Sequence, residues 1–367
     1  MKISILLPYK ENFSPSYAGA VSLFVNSTSN ISKFKNEITI YGNTILKEKF
    51  SKKYVNIPLT KNTLFKSQSK EYVNKFINLT KYNDIDILEI HNRPNYINLI
   101  KDYKSKIVLY FHNDPLSMIG SKKSQEREHL MLLCEKIIFN SEWSKKRFLQ
   151  NLKGIFAKSS KLEVIHQSIN KEKVNINKKL KLITFVGKLN SAKGYDLFGQ
   201  AIIKILDNHK DWKAVVIGDE PREDLNFKHK NLKIMGFQNH TKVLEIFKKS
   251  SIAVACSRWE EPFGRTSLEA SSRGCAVIIS NRGGLPETIT NGIIIRDLNK
   301  RSVQIAIENL ITDKNKRKKI QRLSLKNFYL TDDYIAKKID TYRKKIITIL
   351  PVYNSKNNKK ERLKILH

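Results

Sequence analysis

The sequence predicts an α/β fold of two doubly wound domains in tandem, with a cleft between them. Three observations carry this. The chain has 367 residues, and at about 150 residues per domain that is room for two. Short runs rich in Ile, Val and Phe alternate with amphipathic stretches, the pattern of parallel strands covered by helices on both faces. The alternation is broken once, by a polar Lys- and Asn-rich segment at 170–181, and then restarts.

In the first half, Ile3–Leu7, Ile38–Tyr41, Ile85–Ile90, Ile107–Phe111, Lys136–Phe139 and Leu162–Ile165 have the length and the β-branched or aromatic content of strands. Between them, Val21–Ser29, Tyr72–Asn78, Glu126–Cys134 and Ser144–Leu152 read as helices. Beyond the polar linker, strands are predicted at Leu182–Val186, Ala214–Ile217, Leu232–Met235, Ile252–Cys256, Ala276–Ile279 and Ile293–Ile295. Helices are predicted over Gly194–Asp207, Thr241–Lys249, Thr266–Arg273 and Ser302–Ile311. The remainder, Thr312–His367, is helical in pattern and strongly basic. In such folds ligands bind beyond the carboxyl ends of the strands, so the cleft between the domains is the expected site.

Composition narrows the class. Hydrophobic residues make up 40% of the chain, which excludes a disordered protein. The 68 Lys and Arg against 34 Asp and Glu give a net charge of +34. That excess argues for a polyanionic partner: phosphate-bearing ligands, an anionic membrane surface, or nucleic acid. No stretch approaches the ~18 apolar residues of a membrane-spanning helix. The first ten residues, broken by Pro8, lack the apolar core and cleavage site of a secretory leader. Cys134, Cys256 and Cys275 sit in apolar contexts and read as buried thiols of a reducing compartment. A cytoplasmic protein is expected. No Cys/His spacing suits zinc, and Asp84 and Asp86 read as the solvated start of a strand.

The segment richest in chemistry is Ser257–Ser272. It follows a buried-type strand, and a helix begins just after Gly264. A glycine at that junction lets a ligand approach the backbone closely. The free N–H groups of the new helix offer a phosphate site. Glu261 precedes the helix and Glu269 lies within it. Carboxylates suit sugar and ribose hydroxyls because they accept paired hydrogen bonds.

Glu261-Pro262-Phe263-Gly264, then Glu269-Ala270, then Gly274-Cys275-Ala276-Val277-Ile278 and Gly283-Gly284-Leu285-Pro286-Glu287, resemble the retaining GT-B glycosyltransferases of family 4, in particular bacterial envelope and lipopolysaccharide enzymes. The resemblance covers nearly the whole chain. It implies two Rossmann-like domains. Residues 1–170 would be the acceptor side and 171–325 the nucleotide-sugar domain. Residues 326–367 would form a helix returning toward the first domain, plus a basic tail. It also implies transfer of a hexose from a nucleotide-diphosphate sugar, most commonly of uridine, with no bound metal and no cofactor.

Site roles follow from the same resemblance. Glu261 contacts the transferred sugar near the reacting carbon and Glu269 holds the ribose. Pro262, Phe263, Gly283 and Gly284 line the sugar, and Gly264, Arg265 and Thr266 meet the diphosphate. The runs Gly187-Lys188-Leu189 and Lys193-Gly194 match two family cations that stabilise the departing diphosphate. Position 188 is often Arg in the family; Lys keeps the charge but not the bidentate fork. Gly19, in Tyr17-Ala18-Gly19, partly matches a glycine-rich loop at the phosphates. His112 matches a strand-ending histidine that touches the donor sugar from across the cleft, as the second catalytic candidate. The run Glu89–Pro94 ends a strand at the same rim and is assigned to the acceptor side. Gly236 and Phe237 would meet the nucleotide base, and Ser141 reads as a helix cap.

The acceptor implied is membrane-associated, a lipopolysaccharide precursor or glycolipid, with the enzyme peripheral on the inner face of the membrane. Lys61–Thr80 predicts an amphipathic helix bearing Phe65, Tyr72, Phe76 and Ile77; packing against the core is favoured over lying on a membrane. Basic clusters at Lys314–Arg322 and Lys356–Lys364 add to the charge. Two other classes compete. Nucleotide-sugar epimerases or hydrolases share the fold, but the Glu261–Glu269 string with Lys193-Gly194 argues against them. Nucleic-acid binding rests on charge alone, with no basic-aromatic module to support it.

Overall fold

The computed structural model describes residues 1–59 and 67–348. The first domain runs β1 (Ile3–Leu6), α1 (Ala20–Ile31), β2 (Ile38–Gly42), β3 (Tyr54–Asn56), α2 (Gln68–Thr80), β4 (Ile87–His91), β5 (Lys106–Phe111), α3 (Ser124–Leu133), β6 (Lys136–Phe139), α4 (Glu142–Leu149) and β7 (Leu162–Val164). Among the described residues its sheet is ordered β3-β2-β1-β4-β5-β6-β7, every pair parallel. β1 and β4 are buried at every position, as strands covered on both faces must be.

The second domain runs β8 (Leu180–Val186), α5 (Tyr195–Asn208), β9 (Lys213–Ile217), β10 (Leu232–Ile234), α6 (His240–Lys249), β11 (Ser250–Ala255), α7 (Arg265–Ser272), β12 (Ala276–Ser280), β13 (Ile293–Ile295), α8 (Lys300–Thr312) and α9 (Lys314–Asn327). Its sheet is ordered β10-β9-β8-β11-β12-β13, again parallel. The strand order reverses direction at β1/β4 in one sheet and at β8/β11 in the other. Such switch points open a crevice at the carboxyl ends of the strands.

The expected pair of doubly wound α/β domains is present, with local differences. β3 is absent from the sequence reading: it is a three-residue edge strand whose Tyr54 stacks on Phe13, ring centroids 5.3 Å apart. The 170–181 linker is shorter than read, because β8 begins at Leu180, and it is pinned. Buried Arg273 donates to the Asn170 carbonyl at 2.7 Å and to its side chain at 2.9 Å. α2 turns Tyr72, Val73 and Phe76 into the first core, so its apolar face does not face a membrane. The rest of that predicted helix, with Lys61, Phe65 and Lys66, lies outside the described residues, as does the Lys356–Lys364 cluster. No helix among the described residues is long and apolar enough to cross a membrane.

A final helix, α10 (Asp332–Thr348), leaves the second domain and packs on the first, against α1. Its buried Arg343 grips Glu89 of β4 with two hydrogen bonds of 2.8 Å. Tyr342 donates to the same carboxylate and shares a hydrogen bond with Tyr110. Asp340 accepts from Ser32 Oγ at 2.6 Å and from the Lys33 amide at 2.7 Å. Each buried charge thus has partners, which is the condition for burying it at all. This corrects the acceptor-side reading of Glu89: only 1% exposed, it belongs to the α10 contact and not to the rim.

Candidate active site

The loops after β8 and β11 form one wall of a cleft with an empty volume of about 600 Å³. Its lining includes Gly187, Lys193, Ser257, Glu261, Gly264, Arg265, Thr266 and Leu285. Lys193 is set by a tight turn. Asn190 accepts from the Lys193 amide at 3.0 Å, and Gly194 follows at φ +73°, where a Cβ would stand 1.9 Å from the Cys256 carbonyl oxygen. Only glycine fits there. The turn aims Lys193 Nζ at Glu261 Oε1, 2.5 Å away.

Glu261 is held through its backbone. The Gly284 amide donates to the Glu261 carbonyl at 2.6 Å. Gly283, at φ +57°, passes so close that a Cβ would lie 2.1 Å from the same carbonyl oxygen. The Glu260 carboxylate accepts from the Gly283 amide at 2.5 Å, closing the contact between the two loops.

α7 starts at the floor of the cleft. Its N-cap, Gly264, has φ +109° and provides no side-chain cap, so the first amides of the helix point at the cavity unsatisfied by any side chain. Glu269, buried on the next turns, accepts from His240 Nε2 at 2.8 Å and pairs with Arg265, whose Nε is also 2.8 Å away. Burial alone would raise the Glu269 carboxyl; His240 and Arg265 outweigh it and hold the group below its ordinary value. Arg265 Nη1 is buried and makes no hydrogen bond, so the guanidinium keeps a donor to spare beyond its pairing with Glu269. Among the described residues no group of three His, Cys, Asp or Glu is arranged to hold a metal.

The remaining expected residues divide. Pro262 and Phe263 sit on the site loop, Phe263 buried in the first-domain core and the Pro262 carbonyl accepting from Ser141 Oγ at 2.5 Å. Ser141 does cap α4, through the Ser144 amide at 3.0 Å. Lys188 is exposed and does not line the cleft. Gly19 caps α1, but the Glu11 carboxylate lies over it: a Cβ on Gly19 would meet Glu11 Oε1 at 2.4 Å, and the same oxygen accepts from the Ser22 amide at 2.9 Å. An acidic side chain thus sits where the glycine-rich loop suggested a phosphate. Gly236 turns the chain at φ +64°, and Phe237, half exposed, stacks on Tyr17 of the first domain at 5.0 Å.

His112 does not face open space. It is 6% exposed, its Nε2 lies 3.0 Å from His91 Nδ1, and its Nδ1 lies 3.4 Å from Gln167. The His91 ring stacks on Tyr110 at 4.3 Å. Burial, then the neighbouring His91 and the Arg265 charge across the cleft, push the His112 imidazole well below its ordinary value. Burial and Arg343 push His91 down to about 3. Both rings are neutral near pH 7. Four features went unread in the sequence: the histidine pair, His240 beneath Glu269, Glu11 on α1, and the Glu287 contacts described below. One signal was available for the α10 contact: Glu89 stands in the apolar run Ile-Leu-Glu-Ile, and a charge there demands a buried partner.

Residues 166–325, the second domain from its linker to α9, match the family described as Glycosyl transferases group 1. The match lies within the second domain and covers less than half of the chain. The chain as a whole is 24% identical over 364 residues to spore coat protein SA of Bacillus subtilis, covering 88% of this chain and 93% of that protein. It is 28% identical over 132 residues to the lipopolysaccharide core biosynthesis mannosyltransferase LpsB of Rhizobium meliloti, 33% of this chain and 37% of that one. Among solved structures, Anabaena HepE in complex with UDP superposes with a TM-score of 0.73 at 15% identity, covering 94% of this chain and all of HepE, 100%. The fold is therefore GT-B, two Rossmann-like domains. The group 1 match contains every second-domain residue of the cleft.

Proposed function

We propose that the protein is a retaining, metal-independent hexosyltransferase. It would use a nucleotide-diphosphate sugar, UDP-linked, and deliver the hexose to a membrane-associated acceptor such as a lipopolysaccharide precursor or glycolipid. The observation that carries this reading is one cavity lined by a carboxylate, Glu261, paired with a cation, Lys193, beside the uncapped start of α7 with the spare Arg265 Nη1 donor. The helix start and Arg265 suit the diphosphate. Buried, ionised Glu269 suits ribose hydroxyls. A bound diphosphate would compete with Glu261 for Lys193 and free the Glu261 carboxylate for the sugar.

In the reaction, the bond from the anomeric carbon to the phosphate oxygen breaks and a bond to the acceptor oxygen forms on the same face. The acceptor proton passes to the leaving phosphate. The transition state is oxocarbenium-like, as in glycoside hydrolysis. Negative charge builds on the diphosphate, and Lys193 and the α7 amides oppose it with fixed positive charge. The protein contributes positioning and electrostatics, and no cofactor is assigned.

The acceptor class rests on the sequence resemblance, on the similarity to LpsB, and on the net charge of +34, which suits an enzyme working at an anionic inner leaflet. The test is a screen of nucleotide sugars by nucleotide release, with bacterial envelope lipids as acceptors. Release that depends on acceptor, with a product that keeps the donor's anomeric configuration, is expected. Free sugar as the only product would overturn the transferase assignment.

A further inference from the structure

Glu287 ends the Gly283–Glu287 run, four residues beyond the glycine that presses on Glu261. It makes no contact with the donor cavity. Instead its carboxylate reaches into the first domain. Oε2 accepts from the Glu142 amide at 2.7 Å and Oε1 from the Trp143 amide at 3.0 Å, the first two residues of α4. His166, just after β7, places Nε2 2.9 Å from Oε2. A second-domain carboxylate thus occupies the positive end of a first-domain helix, backed by a histidine. Burial opposes its charge, yet the three donors hold the carboxyl below its ordinary value.

The neighbouring contacts make a unit of this. Ser141 and Ser144 hydroxyls donate to the Pro262 carbonyl at 2.5 and 3.3 Å. Gly284 runs so near Ser141 that a Cβ would lie 2.9 Å from the serine Cβ. The strap 283–287 is therefore tied at one end to the Glu261 backbone and at the other, through Glu287, to α4.

We propose that Glu287 is a positioning residue: its tether to the start of α4 fixes the loop that carries Glu261 relative to the first domain, and so sets the geometry in which donor and acceptor meet. The assignment rests on the glycosyltransferase reading. A tether of this kind touches turnover more than donor binding, because the groups assigned to the nucleotide all lie in the second domain.

The test compares wild type with Glu287→Ala and with the isosteric Glu287→Gln. Three quantities are measured: UDP affinity by calorimetry, turnover with the donor and acceptor found by the screen, and interdomain distance. The last uses spin labels on cysteines placed at exposed Lys35 and Lys230; the three native cysteines are buried. For Glu287→Ala, UDP affinity should stay within about twofold. Turnover should fall about 10- to 100-fold, the scale of a misplacement near 1 Å, and the distance distribution should broaden or lengthen. Glu287→Gln, which keeps an acceptor oxygen but not the charge, should fall between. An unchanged distance distribution overturns the tether. So does turnover within about threefold of wild type, or UDP affinity that drops in step with turnover. Failure of the wild type to bind UDP would overturn the donor reading instead, and the distance measurement would still decide the tether.

Discussion

The buried pair His91–His112 makes the first domain acid-sensitive in a defined window. The rings share one hydrogen bond at 3.0 Å, and His91 Nε2 has no partner at all. Arg343 stands near one ring and Arg265 near the other, and burial adds to both effects. An imidazole released by unfolding takes up a proton near pH 6.5, whereas native His91 does so only at about 3. Below pH 6.5 the unfolded chain therefore binds more protons, and stability falls with falling pH. Each suppressed pKa unit is worth about 1.4 kcal/mol, so lowering the pH from 7.5 to 5 costs about 2 kcal/mol through His91, and His112 adds to the loss in the same direction. That is a large part of the ~5–15 kcal/mol a domain usually has. Glu269 and Glu287, held below their ordinary values, contribute little above pH 5, because an unfolded glutamate takes up its proton mainly below that, at about 4.3. The assay is urea unfolding of wild type and His91→Gln at pH 7.5, 6.5, 5.5 and 5. Wild type should lose stability steadily below 6.5, and the variant should lose it less steeply. A flat wild-type profile, or equal slopes in the two proteins, would refute the neutral pair.

Three further outcomes are expected. Lys193→Ala should weaken nucleotide-diphosphate binding about tenfold or more, the loss of a charge-assisted contact; unchanged affinity by calorimetry would contradict its place at the phosphates. Gly283→Ala forces a side chain into the left-handed region, at about 1–2 kcal/mol, and into the Glu261 carbonyl. Its turnover should therefore fall about 100-fold, far beyond the stability loss read by urea. Arg343→Met leaves the buried Glu89 charge with no cation, only the Tyr342 hydroxyl, and should cost about 3–5 kcal/mol in stability by denaturation, while adding Glu89→Gln should recover part of it.

What the sequence disclosed follows from how local each feature is. β1 and β12 are buried on both faces and read as nearly continuous apolar runs, and β4 does so apart from Glu89 and His91. Tyr54–Asn56 is a half-exposed edge strand with one aliphatic residue, and nothing in it rises above a loop. Glu261, Gly264 and Glu269 fall within one strand–turn–helix, and Gly283 and Gly284 follow one strand later. Their adjacency in the chain made the site visible. The histidine pair joins β4 to the end of β5, Arg343 reaches Glu89 from the far end of the chain, and Glu287 meets α4 across two domains. Such partners are set by topology, and composition carries no trace of them. The position of Glu11 over Gly19 shows the reverse: a glycine at a helix start matched a phosphate loop, and a nearby carboxylate satisfies that helix instead.

The central claim is that Glu261 acts on a sugar delivered to the Lys193–α7 cavity. Its most direct test is the rate of acceptor-dependent nucleotide release by wild type and Glu261→Ala, with circular dichroism and UDP affinity measured on both. The account predicts a variant that keeps its fold, binds UDP at least as tightly once Lys193 is unpaired, and transfers no sugar. A Glu261→Ala protein that transfers at the wild-type rate would contradict it.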